Sequence, residues 1–261
     1  MSSKNIFWWI GGALALALLI AGAGLVFHTL PAPQTKQTSQ IATTSVYAES
    51  KKIEQTDEIS KINIEYPFIV GVSQSVNDQI QTLLQNRIAD FRKIAQENEQ
   101  ARIDTNKTLP QNEQRPARPA PDAFWYELDI TYATGTINPQ TVSVVFFADE
   151  YSGGAHGNKS FIPFNYDITN NKQITLSDVF AEKPDYLQKI SDFTYTDIVK
   201  QMNERGAGSP IDTQWIKTGT APQVDNFATF TIGDNSITVY ISPYQVAPYA
   251  LGDFQVTMPT R

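Results

Sequence analysis

The period of the hydrophobic pattern changes several times along the chain, and each change marks an element. Ile6 to Phe27 is an uncharged run of 22 residues, long enough at about 1.5 Å per residue to cross a bilayer core of about 30 Å. It predicts a single transmembrane helix over 6–28, with Trp8 and Trp9 near one interface and Pro31 and Pro33 beyond the other end. Lys4 precedes this span and the next cation is Lys36, which points residues 1–5 to the cytoplasm and the rest outward. Ala21-Gly22-Ala23 leaves a cleaved signal peptide, and hence a secreted chain, as the alternative. Residues 29–58 are rich in Gln, Thr, Ser and Ala, a composition that predicts a flexible stalk.

Beyond Ile59 the pattern is that of a folded domain. Ile62, Ile64 and Tyr66 alternate ahead of Pro67 and predict a strand. Val76, Ile80, Leu83, Leu84, Ile88, Phe91, Ile94 and Ala95 recur at three and four residues, an amphipathic helix with Ser75 or Asn77 as its cap. Arg87 falls on that stripe, its stem over apolar surface and its head in water. Asn98 to Pro121 is polar and carries four prolines, which predicts a long loop closing an N-terminal subdomain of residues 59–122.

Residues 123–261 then read as a second unit. Phe124, Tyr126, Leu128, Ile130 and Tyr132 alternate with polar residues, Val142, Val144 and Phe146 continue the rhythm, and a turn at Gly135 to Pro139 makes the pair a hairpin. Lys159 to Ile168 is a third strand. A second amphipathic helix runs from 185 to 205 and ends at Gly206 and Gly208. Phe227 to Ile232 and Ile237 to Ile241 flank Gly233-Asp234-Asn235 as another hairpin, and Phe254 to Met258 is a last strand. The order predicts an α+β fold, antiparallel sheet or sheets with two amphipathic helices packed on one face, preceded by the membrane helix.

Cysteine is absent, so the chain has no disulfide framework, thiolate nucleophile or thiol-linked lipid. Twenty Lys and Arg stand against 27 Asp and Glu, a net charge of −7. An acidic exterior disfavours nucleic acid and anionic lipid surfaces and favours cationic partners.

Two segments hold the candidate chemistry. Tyr151-Ser152-Gly153-Gly154-Ala155-His156-Gly157 joins neighbouring strands, and its glycines suit positive φ and close backbone approach. His156 is the one histidine outside the membrane segment. Its neighbours Asp149 and Glu150 should point to opposite faces of a strand, so neither a metal site nor a cofactor is expected. Ser152 beside His156 lacks the strand–nucleophile–helix elbow of a hydrolase. Asp129, Asp149, Glu150 and Asp167 lie in or beside the predicted sheet and keep open an alternative, a carboxylate-dependent enzyme acting on cell-wall glycan. The second segment, Pro243 to Gly252, presents Tyr244 and Tyr249 on a stiff proline-rich loop, either as binding anchors or packed under the sheet edge.

Asp149 to Gly157, Phe164 to Asp167, Ile174 to Phe180 and Pro243 to Gly252 occur as four ordered motifs. Together they resemble the extracytoplasmic domain family found at the C-terminus of the anti-sigma factor RsiV and the N-terminus of the deacetylase PdaC. The resemblance covers Ile59 to the C-terminus. It implies a tethered module that binds a protein or wall ligand, since the RsiV domain binds lysozyme. Five residues ahead of the span and none after the domain lead us to expect neither sigma-factor binding nor the separate deacetylase activity. By the same resemblance Ser152, Tyr244, Pro248 and Tyr249 form the partner surface, with Gly153, Gly154, His156 and Gly157 as the signature turn. The expected partner is a cationic protein such as lysozyme, or peptidoglycan, and the surface requires the two loops to meet.

Overall fold

The computed structural model describes residues 45–114, 126–181, 183–206 and 212–260. The segment read as a membrane helix, most of the stalk, and part of the proline-rich stretch lie outside these residues. Among the described residues no helix is long and apolar enough to cross a membrane.

Six strands form one mixed sheet in the order β1 (Tyr47–Thr56), β2 (Ser60–Val70), β3 (Tyr126–Ile137), β4 (Thr141–Tyr151), β5 (Asn158–Asp167) and β6 (Lys172–Gln173). Three strands, β7 (Phe230–Ile232), β8 (Ser236–Ile241) and β9 (Phe254–Pro259), form a second, antiparallel sheet. Four helices accompany them, α1 (Gln74–Thr108), α2 (Leu176–Val179), α3 (Tyr186–Glu204) and α4 (Thr213–Gly219). The α+β class holds, with three corrections.

First, β1 occupies residues assigned above to the stalk. Its ten residues pair with β2 from Tyr47 to Thr56, so backbone hydrogen bonding to a neighbouring strand overrides a polar composition that carries little burial.

Second, α1 runs 35 residues and takes in Asn98 to Thr108, read as loop. It begins after Ser73, not at Ser75 or Asn77. The buried Asn77 amide instead grips Ile69, accepting from its N–H (2.8 Å) and donating to its C=O (3.0 Å), which fixes the β2–α1 corner. The helix carries the chain back along the sheet, so β3 runs parallel to β2 and the sheet is mixed. A division at 122/123 therefore cuts this sheet between paired strands.

Third, the two long helices do not share a face. Ile80, Leu84, Ile88 and Phe91 of α1 pack on Ile62, Leu128, Val144 and Phe146 of the large sheet. Ile190, Ile198 and Met202 of α3 pack on Val239, Phe254 and Val256 of the small one. The two sheets meet back to back through Val145, Phe161 and Tyr240. The layers run α1, large sheet, small sheet, α3. The head of Arg87 also departs from its expected place: it pairs with buried Glu150 of β4 beneath α1.

The sheets interlock by a short relay of hydrogen bonds. Ser143 of β4 and Asn165 of β5 are cross-strand partners on the face toward the small sheet. Ser143 Oγ donates to Asn165 Oδ1 (2.6 Å) and accepts from the Ile232 N–H (2.7 Å), while Asn165 Nδ2 donates to the Phe230 C=O (2.8 Å). Gly135 makes room, because a Cβ there would lie 2.3 Å from the Ile232 carbonyl oxygen.

Asn165→Ala should lower the unfolding free energy by about 1–3 kcal/mol, because it strands the Phe230 carbonyl in a buried seam. Chemical denaturation of the variant against the parent measures this.

A second prediction concerns acid. Thr175 caps α2 in a capping box with Asp178. A hydrogen bond from Lys172, then bonds from the Thr175 backbone and hydroxyl, hold the exposed Asp178 carboxyl well below the ordinary 3.8. A depressed carboxylate stabilises the fold above its unfolded pKa, and that contribution is lost as pH falls through the folded value. The melting-temperature gap between parent and Asp178→Asn should hold steady above about pH 5 and close progressively below about pH 4.

Candidate functional site

The signature turn follows β4 and leads into β5. Gly153 and Gly154 adopt φ of 103° and 104°, a region that L side chains rarely enter. The turn is tied down from both sides: Asn98 Nδ2 of α1 donates to the Ser152 C=O (2.6 Å), and Tyr151 OH donates to the Gly154 C=O (3.1 Å).

The second loop, between β8 and β9, is braced from below. Trp215 Nε1 of α4 donates to the Tyr244 C=O (3.1 Å), and Gln245 Nε2 donates to the carbonyls of Gly219 and Asn226, both at 2.9 Å. Arg205, after the end of α3, donates to the carbonyls of Leu251 (2.7 Å) and Asp253 (3.1 Å), with its guanidinium 4.1 Å from the Phe254 ring centroid. Lys159 of β5 reaches Asp253 at 3.3 Å and ties the loop to the large sheet.

The two loops meet. His156 stacks on Tyr249 with ring centroids 4.3 Å apart and planes at 22°. Tyr244 lies 5.5 Å from Tyr249, and its hydroxyl is 3.3 Å from His156 Nε2, a contact spanning 88 residues of sequence. His156 Nδ1 is 2.6 Å from the Gly157 C=O. A carbonyl only accepts, so Nδ1 is the donor in that contact. Tyr244 is 52% exposed, and Pro248 beside Tyr249 is exposed too. These rings form an outward platform and are not packed under the sheet edge.

Tyr244 also has φ 69°, in the left-handed region, which costs about 1–2 kcal/mol for an L residue. Neighbouring hydrogen bonds hold it there.

Ser152 sits apart from the rings and opens onto α1. It lines a groove of about 720 Å³ with Gly153, Gly154, Tyr126 and Tyr151 on one side and Asn98, Arg102 and Asn106 of α1 on the other. Arg102 binds Glu99 through Nε and Nη2, both at 2.9 Å. These bonds raise the guanidinium pKa above its ordinary value and keep it charged.

Of the four candidate carboxylates only Asp129 and Asp149 share a face. Glu150 faces α1 and Arg87. Asp129 and Asp149 are cross-strand partners on the other face, where Asn63 donates to Asp129 (2.7 Å) and Lys159 approaches Asp149 (3.8 Å). Asp167 sits at the far end of β5, where Asn170 holds it. Among the described residues no three His, Asp or Glu side chains group as a metal site.

Sequence reasoning missed the C-terminal third of α1, whose polar composition hid its helix, and it missed α4. The latter carried a usable signal: Asp212 caps it by accepting from Gln214 and Trp215 N–H, each at 3.0 Å.

A paired architecture of this kind has known relatives. Residues 53–159 match the family model for the deacetylase PdaC, and residues 177–261 match a protein family of unknown function, DUF3298. The chain thus resembles a PdaC-type domain followed by a DUF3298 domain. It is 25% identical over 258 residues to the peptidoglycan-N-acetylmuramic acid deacetylase PdaC of Bacillus subtilis, covering 99% of this chain and 50% of that protein. It is 28% identical over 139 residues to an esterase of Mycobacterium tuberculosis, covering 51% of this chain and 57% of the esterase. The chain therefore spans about half the length of these curated relatives. A crystal structure of a DUF3298 member from Bacteroides fragilis shares the fold, with a TM-score of 0.55 at 18% identity, covering 83% of this chain and 91% of that one.

Strain at Tyr244 has a measurable sign. Tyr244→Gly should be more stable than Tyr244→Ala by about 1 kcal/mol, since both remove the ring and only glycine accepts the positive φ freely. Thermal or denaturant unfolding of the two variants side by side checks this.

Proposed function

We propose that this chain is a binding module of the cell envelope, held outside the cytoplasm by its N-terminal apolar segment. Its aromatic platform engages a cationic wall-active protein of the lysozyme kind. The observation that carries this reading is the junction of His156, Tyr244 and Tyr249 across two loops distant in sequence, with Pro248 beside them. An exposed Tyr244 beside a half-buried Tyr249 on a braced loop loses little conformational freedom on binding and buries large area, the usual make-up of an interface anchor.

Charge supports the same partner. A net −7 attracts a basic protein and speeds its encounter, while the rings supply contact that salt does not screen. The strained backbone of Tyr244 fits a residue kept for contact at some cost in stability. Binding is favoured over glycan cleavage because Glu150 is paired with Arg87 on the other face, Asp167 lies at the far end of β5, and the cross-strand pair Asp129 and Asp149 is engaged by Asn63 and Lys159. The similarity to PdaC supports a cell-wall context for the module.

Isothermal titration of the 261-residue chain against a lysozyme, at low and moderate salt, tests the reading. Saturable binding should survive moderate salt and weaken by about tenfold or more in Tyr244→Ala and Tyr249→Ala, as anchor residues do. No binding, or binding that salt abolishes and the substitutions leave unchanged, overturns it.

A further inference from the structure

We propose that the chain forms a symmetric dimer by joining β9, the free edge of the small sheet, to the same strand of a second copy. This inference rests on other residues than the aromatic platform and does not depend on the lysozyme reading.

The remaining sheet edges are guarded or covered. β1 presents Glu49, Lys51, Lys52 and Glu54 along its length, β6 has only two residues, and the stretch of β5 beyond β6 carries Lys159 and Pro163. β7 is met by Ser143 and Asn165. Charges, prolines and short strands are the devices that keep an edge from pairing. β9 is uncharged, and its one proline is its last residue.

The direction of its free groups follows from β8. Tyr240 N–H donates to the Thr229 C=O (2.9 Å) and Gly233 N–H to the Ser236 C=O (2.8 Å), so Ser236, Thr238 and Tyr240 aim their backbone groups toward β7. Their β9 partners Pro259, Thr257 and Gln255 therefore aim theirs outward. Side chains around the end of α3 close part of this edge. Arg205 donates to the Asp253 C=O, and four residues earlier Gln201 Nε2 donates to the Gln255 C=O (2.9 Å). The series stops there. Among the described residues the Gln255 N–H, both Thr257 groups and the Pro259 C=O have no hydrogen-bond partner.

Those groups select one register. With Thr257 on a twofold axis, each Thr257 exchanges both backbone bonds with its counterpart, and each Gln255 N–H donates to Pro259 C=O of the second copy. Proline offers no N–H in return, and the Gln255 carbonyl needs none, because Gln201 already fills it. An axis at Val256 would aim a second donor at that carbonyl, and one at Met258 would leave the Thr257 carbonyl facing a proline. The same axis sets both α3 helices on one face of the joined sheet. The groove of about 660 Å³ between α3 and β9, lined by Phe193, Met258 and Pro259, then faces its own copy. Phe193, 39% exposed, is thereby covered. Lys189, Lys200, Asp192 and Asp197 give the groove both signs of charge, as suits a surface that meets itself.

The test uses the 261-residue chain in neutral detergent. The chain has no cysteine, so Thr257→Cys brings one thiol per copy, and paired strands would hold the two Cα atoms about 5.5 Å apart, within disulfide reach. Under copper-phenanthroline it should link into a dimer at least tenfold faster than Glu54→Cys on the β1 edge. Sedimentation of the parent should show a concentration-dependent dimer. Phe193→Lys and Thr257→Pro should each weaken it tenfold or more while circular dichroism stays that of the parent, since the Thr257 N–H points away from β8. A parent that sediments as a monomer throughout, equal linkage at 54 and 257, or a dimer that either substitution leaves unchanged overturns the proposal. The last result would place the association in another segment.

Discussion

The seam between the two sheets is the constraint on which the rest of the structure depends. A three-stranded sheet with one helix on its outer face buries little by itself, and its edge strand β7 would leave backbone groups unpaired. Ser143 and Asn165 meet those groups with side chains, one accepting from Ile232 N–H and the other donating to Phe230 C=O. Two residues thus do for β7 what a fourth strand of the small sheet would do. Because the side chains also bond each other, neither is left half-satisfied in the buried layer, which is where partly paired polar groups destabilise most. The seam sets the position of the small sheet, and through it the position of the 242–252 loop relative to the signature turn.

Both loops inherit their meeting from that docking. The signature turn belongs to the large sheet and the tyrosine loop to the small one, so any slip at the seam would part His156 from Tyr249. Further ties brace each side: Asn98 to Ser152 on the helix side, Lys159 to Asp253 between sheets, and Arg205, Trp215 and Gln245 beneath the second loop. Beneath α1, the Arg87–Glu150 pair fixes the helix to β4 one residue before the turn begins. Glu150 is 7% exposed. Removing one partner of such a pair leaves a buried charge uncompensated, so the contact works as a register lock more than as a source of net stability.

Much of this was readable from the sequence. Apolar alternation located β2 to β5, β8 and β9, and the period of three and four located α1 and α3, because each signal comes from a face buried against a neighbour. What escaped lacked such a face. β1 is an edge strand with mostly exposed residues, and the end of α1 overhangs the sheet, so neither prints hydrophobic periodicity. The parallel pairing of β2 and β3 escaped for the same reason: it follows from the true length of α1, which polarity concealed. The sheet-on-sheet layering depends on Ser143, Val145 and Asn165 lying opposite the α1 face of the same strands; its trace in the sequence is the near-continuous apolar run from Val142 to Phe147, since a strand buried on both faces loses its alternation.

The candidate site shows the same division. Tyr244, Pro248 and Tyr249 were identifiable as an aromatic, stiff loop, and the signature turn by its glycines, yet no local pattern says that two loops 88 residues apart touch. The resemblance groups Ser152 with the tyrosine loop, but the two positive-φ glycines between Ser152 and His156 reverse the chain. Ser152 thereby faces α1 while His156 faces the tyrosines. A single turn thus meets α1 on one side and the tyrosine loop on the other, and glycine at 153 and 154 permits the reversal that separates the two contacts.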